Sequence, residues 1–341
     1  MVLKTDISWF TPQAIDATGI SWRSAGYTEV SLNLFNSLKD KGQRVLWNAT
    51  GTKWHVNYCL PYYYQFEVPR IVGYTPWEYT AIPPAWVHQF NKCEQVWTTS
   101  EWCKGVLEQY NLDPPVHVLA HGISDEWSIE EREIGDKFYF LHVGGELPRK
   151  NVQLVVSAFL ECFDGEEDYQ LILKTSEGIE NIDLQPSLQD LEKHPQITIL
   201  NGFIPKDSLV SLYKHSHCMV YPTAGEGFGL IPFQAIATGM PTICTELSGC
   251  SQFADMSMPL AATWDDPPER EIEHHNLVGT GAQMAIPDYQ DLCRLMKKVT
   301  TEYYEEKAKA MRSARIIHQY ETWDHVADEL LDFLEISHLP A

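Results

Sequence analysis

The sequence predicts an α/β protein made of two doubly wound halves, each a parallel sheet with helices on both faces. Three observations carry this reading. At 341 residues the chain is about twice the usual length of one domain. Short β-rich runs alternate with helical patterns along both halves. Between the halves a polar, acidic stretch at 121–137, HGISDEWSIEEREIGDK, interrupts the apolar rhythm.

The elements follow in order. ISWF reads as a first strand, and after a Ser/Gly-rich turn a helix runs from about Thr28 to Lys41. Val30, Leu34, Phe35 and Leu38 share one face of it, and Gly42 suits its C-terminal stop. VLWNA, RIVGY, QVWTT and VHVL read as strands, with a helix opened by Ser100 between the last two. The stretch 121–137 reads as an exposed connection. A second series begins with FYFLHV and a helix carrying Val152, Val155, Val156, Phe159 and Leu160, then continues through YQLILK, ITIL, CMVY and PTIC. Near the end, Trp323, Val326, Ala327, Leu330, Leu331 and Leu334 form one helical stripe that must pack against apolar surface. Two such domains facing each other across a cleft place ligands beyond the carboxyl ends of the strands.

Composition narrows the function. The 47 Asp and Glu against 25 Lys and Arg give a net charge of −22, which repels phosphate backbones and anionic lipids and disfavours bulk nucleic acid as a partner. Eight cysteines, at 59, 93, 103, 162, 218, 244, 250 and 293, lack the close pairs of a zinc site or redox dithiol and read as reduced, buried thiols. The N-terminus lacks the pattern of a signal peptide, and no apolar run approaches the roughly 20 residues that span a bilayer, so a cytoplasmic protein is expected.

The most informative stretch is YPTAGEGFGLIPFQAIATGMPTIC, from Tyr221. A strand enters a turn carrying Gly225, Gly227 and Gly229 and then a helix, a form in which backbone approaches a ligand closely and free N–H groups attract phosphate. Glu226 puts a carboxylate into that turn for sugar hydroxyls, and Gln234 lies two helical turns on, on roughly the same side. The bland alternative is a turn with glycines for tightness alone. A second segment, HVGGELPRKNVQLVVSAF, places Arg149 and Lys150 just ahead of a helix, where they can neutralise a diphosphate leaving group without a metal. No Asp-x-Asp pair stands where a metal site would need it, and no metal is expected.

The first string resembles the nucleotide-sugar-binding signature of retaining glycosyltransferases of the GT-B fold, in particular family 4, whose pattern is Glu, seven residues, Glu, with GFG after the first Glu. The resemblance gives Glu226 contact with the transferred sugar and gives Gly227, Phe228, Gly229 and Leu230 contact with sugar and phosphate. The ribose-binding Glu is replaced here by Gln234, whose amide lacks a carboxylate's charge-assisted strength. The second segment resembles the family's strand, Gly, Arg, four residues, Lys and amphipathic helix. Lys150 falls on the lysine that binds donor phosphates; Gly145 stands in place of the arginine, with Arg149 as its substitute.

Weaker similarities keep the family's order. ILNGFIPKDSLVSLYKHSHCMVYPT would turn backbone near Gly202, Phe203 and Ile204 to the nucleobase. RSAGYTEV matches the family's glycine loop and makes Gly26 a phosphate or acceptor contact, and GYTPWEYT offers Glu78 to orient the acceptor hydroxyl where many members carry a histidine. His121, His142, His215 and His217 read as structural. Nine of the eleven tryptophans lie within the first 127 residues and are read mainly as core, with an aromatic acceptor platform as the alternative.

The resemblance thus implies an N-terminal acceptor-side domain at 1–130, a nucleotide-sugar-binding domain at 131–315 and a helix at 316–341 returning to the first domain. It implies metal-independent hexosyl transfer from a UDP- or GDP-sugar to an acceptor hydroxyl with retention, with no cofactor besides that co-substrate. The catalytic set is Glu226, Lys150 and Glu78. The alternatives are a phage-type transferase acting on a modified DNA base and a GT-B-like protein that binds a nucleotide sugar without turnover.

Overall fold

A computed structural model of the chain describes residues 6–12, 15–16, 19–20, 25–144, 147–175 and 184–335. They fall into two compact units. The first holds the chain up to Ser124, the excursion Asp266–Gln283 and the chain from Tyr320 on; the second holds Asp125–Asp265 and Met284–Gln319. Among the described residues no helix is long and apolar enough to cross a membrane.

The first unit opens with strand β1 (Asp6–Phe10), a two-stranded antiparallel pair β2 (Ile15–Asp16) and β3 (Gly19–Ile20), and helix α1 (Ala25–Asp40). Strands β4 (Arg44–Trp47), β5 (Trp54–Tyr58) and β6 (Ile71–Tyr74), helix α2 (Pro84–Phe90), β7 (Gln95–Thr98), α3 (Glu101–Glu108) and β8 (Val116–Val118) follow. The sheet has the order β4-β1-β5-β6-β7-β8 and every pairing is parallel. Local chemistry explains the helix ends. Gly42 takes a φ of 77° while Gln43 N–H closes on the Leu38 carbonyl at 2.9 Å, a glycine C-cap. Ser100 Oγ accepts from Cys103 N–H at 3.2 Å and starts α3.

The second unit repeats the scheme. It contains β9 (Phe138–Gly144), α4 (Val152–Phe163), β10 (Tyr169–Thr175), α5 (Leu188–Leu191), β11 (Ile197–Leu200), α6 (Lys206–His215), β12 (Cys218–Tyr221), α7 (Leu230–Ala237), β13 (Thr242–Thr245), β14 (Met258–Leu260) and β15 (Ala262–Asp265). Its parallel sheet runs β11-β10-β9-β12-β13-β14. The chain builds outward from β9 to β11, then returns to the other side of β9 with β12. The strand order therefore reverses between β9 and β12, where doubly wound sheets open a crevice for ligands. Val152, Val155, Val156 and Phe159 of α4 are buried against Phe140, Leu171 and Leu173.

Strand β15 pairs antiparallel with β16 (Met284–Pro287), and α8 (Glu269–His274) lies in the excursion between them. Within the first unit, Tyr79 OH donates to Glu271 Oε2 at 2.6 Å, and Gln283 N–H donates to Thr80 Oγ1 at 2.8 Å. Helices α9 (Tyr289–Thr301) and α10 (Tyr303–Tyr320) follow, and α9 packs on α4. Helix α11 (Trp323–Phe333) then lays Trp323, Val326, Ala327, Leu330 and Leu331, with Leu334 beyond it, into one core with Val30, Leu34, Leu38 and Trp97. The expected stripe and the return of the C-terminal helix to the N-terminal domain are both present.

The stretch 121–137 matches the expected exposed connection only in part: residues 133–136 are exposed, but others are not. Trp127 and Arg132 are buried within the second unit. The Arg132 guanidinium donates to the carbonyls of Ser216 (2.9 Å), Thr238 (2.6 Å) and Tyr213 (3.1 Å) and to Thr238 Oγ1 (2.8 Å), tying the ends of α6 and α7 together. A polar residue is buried where its donors satisfy carbonyls left open at helix ends. Burial lowers its pKa to about 10, so it stays charged at neutral pH. Arg132→Met is expected to destabilise the second unit by about 3–5 kcal/mol, since those carbonyls lose their donors. A urea midpoint within error of wild type would refute this role.

Candidate functional site

The two loops at the order reversal carry the charged residues. After β9, residues 145 and 146 lie outside the described residues, so the expectation for Gly145 has no structural counterpart here. Pro148–Lys150 then makes a single tight helical turn with proline in its first position. Asn151 takes a left-handed φ of 54°, and its Nδ2 donates to the Pro222 carbonyl at 2.7 Å. Ala224 N–H donates to the Arg149 carbonyl at 2.7 Å. These bonds tie the β9 loop to the β12 loop, and Arg149 and Lys150 meet the end of β12.

At that end the residues converge on one oxygen. Glu226 Oε1 accepts from Arg149 Nη1 at 2.8 Å, from Tyr221 OH at 2.7 Å, from Thr223 Oγ1 at 3.2 Å and from Lys150 Nζ. Lys150 Nζ also donates to Tyr221 OH at 2.6 Å. A phenol has one proton, so Tyr221 accepts from the ammonium and passes its own hydrogen to the carboxylate. Burial alone would raise the Glu226 carboxyl, but Lys150 and Arg149 outweigh it and hold the pKa at about 2.

The Gly-rich turn is held from beneath. Glu226 N–H donates to Ser248 Oγ at 3.1 Å and Gly249 N–H to the Glu226 carbonyl at 2.8 Å. A Cβ at Gly249 would overlap the Gly227 carbonyl. Gly229 needs its φ of 95°, and a Cβ there would lie 2.8 Å from Cys250 Sγ. Phe228 is buried between Phe233 and Phe253, so this residue offers backbone rather than side chain to a ligand. Leu230 opens α7, which no side chain caps. Gln234 is buried in its second turn, and Glu226 precedes the helix, so the two are not related by helical turns as the sequence reading has it.

The other expected residues are placed as follows. Gly202, Phe203 and Ile204 follow β11 at the same carboxyl edge of the sheet; Lys174 Nζ donates to the Gly202 carbonyl at 2.7 Å, and Phe203 is 63% exposed. Gly26 is exposed in the first turn of α1 with open space around it, and Glu78 is half-buried in the loop after β6; both belong to the first unit. Trp9, Trp54, Trp77, Trp86, Trp97 and Trp127 are all below 2% exposed, which makes them core and not an acceptor platform. His142 Nδ1 donates to the Val220 carbonyl at 2.8 Å, and burial lowers its pKa to about 4. Tyr221, Thr223, Ser248 and Gly249 were not expected from the sequence. A separate cavity of about 750 Å³ in the second unit is lined by carboxylates, among them Glu130, Glu131 and Glu133, together with Arg132, Lys137 and Lys214.

Two outcomes are expected of this geometry. Gly249→Ala should cost about 1–3 kcal/mol, because the new methyl meets backbone that cannot yield cheaply; an unchanged melting temperature would refute the contact. The unfolded Glu226 carboxyl titrates near 4.5 and the native one near 2, so its stabilisation is full above about pH 5 and lost as pH falls toward 2. The loss should reach about 3 kcal/mol in wild type and vanish from the pH profile of urea midpoints in Glu226→Gln. Parallel profiles for the two proteins would exclude the ion cluster as its source.

Comparison with known proteins bears on this site. The family described as Family 4 Glycosyltransferase in conflict systems matches residues 99–330. The O-antigen chain mannosyltransferase RfbU of Salmonella typhimurium is 28% identical over 158 residues, 46% of this chain and 43% of that protein. The serotype-specific mannosyltransferase WbdA of Escherichia coli is 27% identical over 265 residues, 72% of this chain and 29% of that protein. The chain thus spans less than half the length of either relative. Among solved structures, sucrose-phosphate synthase from Thermosynechococcus elongatus superposes with a TM-score of 0.71 at 11% identity, covering 97% of this chain and 98% of that one. Anabaena HepE in complex with UDP gives a TM-score of 0.65 at 10% identity, covering 97% and 99%. With two parallel six-stranded sheets, this likeness makes the fold GT-B. The family match spans more than half the chain, through both loops of the Glu226 cluster, and the chain belongs to the family 4 glycosyltransferases of conflict systems.

Proposed function

We propose that this protein moves a hexose from a nucleoside-diphosphate sugar to an acceptor hydroxyl, with retention at the anomeric carbon and without a metal ion. The observation that carries the reading is the ionised Glu226 carboxylate beside Lys150 and Arg149 at the strand-order reversal. Two cations there supply the charge that a departing diphosphate needs, and the uncapped start of α7 adds backbone N–H groups aimed at an anion. A carboxylate that stays charged is a strong acceptor for sugar hydroxyls. In the retaining course proposed, the acceptor attacks on the face the leaving group departs, and the departing phosphate takes the acceptor's proton. The mannosyltransferase names of RfbU and WbdA and the UDP bound to HepE support a sugar-nucleotide donor.

The test is a panel of UDP- and GDP-hexoses with sugar acceptors, followed by mass spectrometry. One donor should be consumed, with EDTA changing the rate less than about twofold and NMR of the product showing the donor's anomeric configuration. Lys150→Ala should lower kcat by about 10²–10³. If wild type leaves every donor intact, transfer is refuted; an inverted product refutes retention alone.

A further inference from the structure

We propose that Glu226 is the internal occupant of the phosphate subsite, that the donor's diphosphate displaces it, and that Tyr221 is the positioning residue that serves both occupants. This rests on the donor-sugar reading above and adds an exchange to it.

The geometry is that of an anion receptacle already filled. Arg149 Nη1, Tyr221 OH, Thr223 Oγ1 and Lys150 Nζ all point at one oxygen, Glu226 Oε1. An oxygen has room for about two strong donors, so four around one point define a site for a more highly charged oxyanion. Tyr221 and Lys150 are buried and fixed, with Tyr221 only 1% exposed at the end of β12. Lys150 is held by Tyr221 independently of Glu226. The receptacle therefore keeps its shape when the carboxylate leaves. Glu226, by contrast, sits in a glycine-flanked turn whose backbone is anchored on Ser248 and Gly249, so its side chain can swing while its backbone stays.

A diphosphate brings more charge and more acceptor oxygens than a carboxylate and takes over Lys150 and Arg149. Tyr221 then gives its hydrogen to a phosphate oxygen in place of Oε1. The released carboxylate is charged and needs new donors, which the hydroxyls of the attached sugar provide. Phosphate binding and sugar recognition are thereby coupled: a nucleoside diphosphate without its sugar leaves Glu226 displaced and unpaired beside the phosphates.

Calorimetry with UDP, GDP and the corresponding nucleosides tests this on wild type, Glu226→Ala, Tyr221→Phe and the double variant. Removing the resident carboxylate should tighten nucleoside-diphosphate binding at least tenfold and leave nucleoside binding unchanged. Tyr221→Phe should shift diphosphate affinity less than about threefold in wild type, where the hydroxyl serves an anion before and after binding. In the Glu226→Ala background, where no side-chain acceptor stands at the carboxylate's position and the hydroxyl gains the phosphate alone, the same change should weaken binding about tenfold. This non-additivity is the signature of exchange, since a general loss of negative charge would tighten binding with no dependence on Tyr221. Additive effects, or no gain in Glu226→Ala, overturn the exchange while leaving the donor site intact. If Glu226→Ala does not fold, Glu226→Gln, which removes the charge and keeps the shape, is expected to show the same tightening. Absence of diphosphate binding in every protein overturns the donor reading itself.

Discussion

A carboxylate surrounded by two cations in a buried turn is the constraint around which the second unit is arranged. Desolvating three charges is costly, and it is tolerable only when geometry is good and the remaining donors are satisfied. Here Tyr221 and Thr223 also donate to the carboxylate, and the Ser248 hydroxyl accepts from the Glu226 N–H. The cations come from the loop after β9 and the carboxylate from the loop after β12, so the cluster can form only where those strands are neighbours. Asn151 in its left-handed conformation, Gly229 at φ 95° and Gly249 beneath Gly227 are local prices of bringing the two loops together.

The periodic parts of the fold were legible in the sequence because their signals are local. The face of α1, the Ser100 cap, the α4 stripe and the α11 stripe each need only neighbouring residues to be recognised. Glu226 and Lys150 were legible through the family pattern and Arg149 as the neighbour standing in for the arginine that the pattern lacks here, and both cations meet Glu226. Tyr221 was not, because a tyrosine closing the apolar run CMVY has the same sequence appearance as a core strand residue. Ser248 and Gly249 were missed because their partners are more than twenty positions away and only the folded loop reveals the overlap.

One misreading and one contact that the sequence does not signal share a cause. Arg132 in an acidic stretch looks solvated, and only the open carbonyls of α6 and α7 explain its burial. The excursion Asp266–Gln283 contains Pro267-Pro268 near its start and Gly279 and Gly281 near its end, ordinary signs of a loop; that its Glu271 meets Tyr79 is a pairing 192 positions apart. Polar side chains report their environment poorly from sequence, since the same group suits water or a buried partner.

The α11 stripe also bears on the order in which the chain becomes structured during synthesis. The core of the first unit takes Trp323, Val326, Ala327, Leu330 and Leu331 from residues that leave the ribosome after the whole of the second unit's sheet. Domains made early generally fold early. In this chain Val30, Leu34 and Leu38 share a core with Ile7, Trp9, Val45 and Val56, and that core waits for nearly three hundred residues of translation before α11 completes it. The unit whose sheet is made first is therefore the last to be completed.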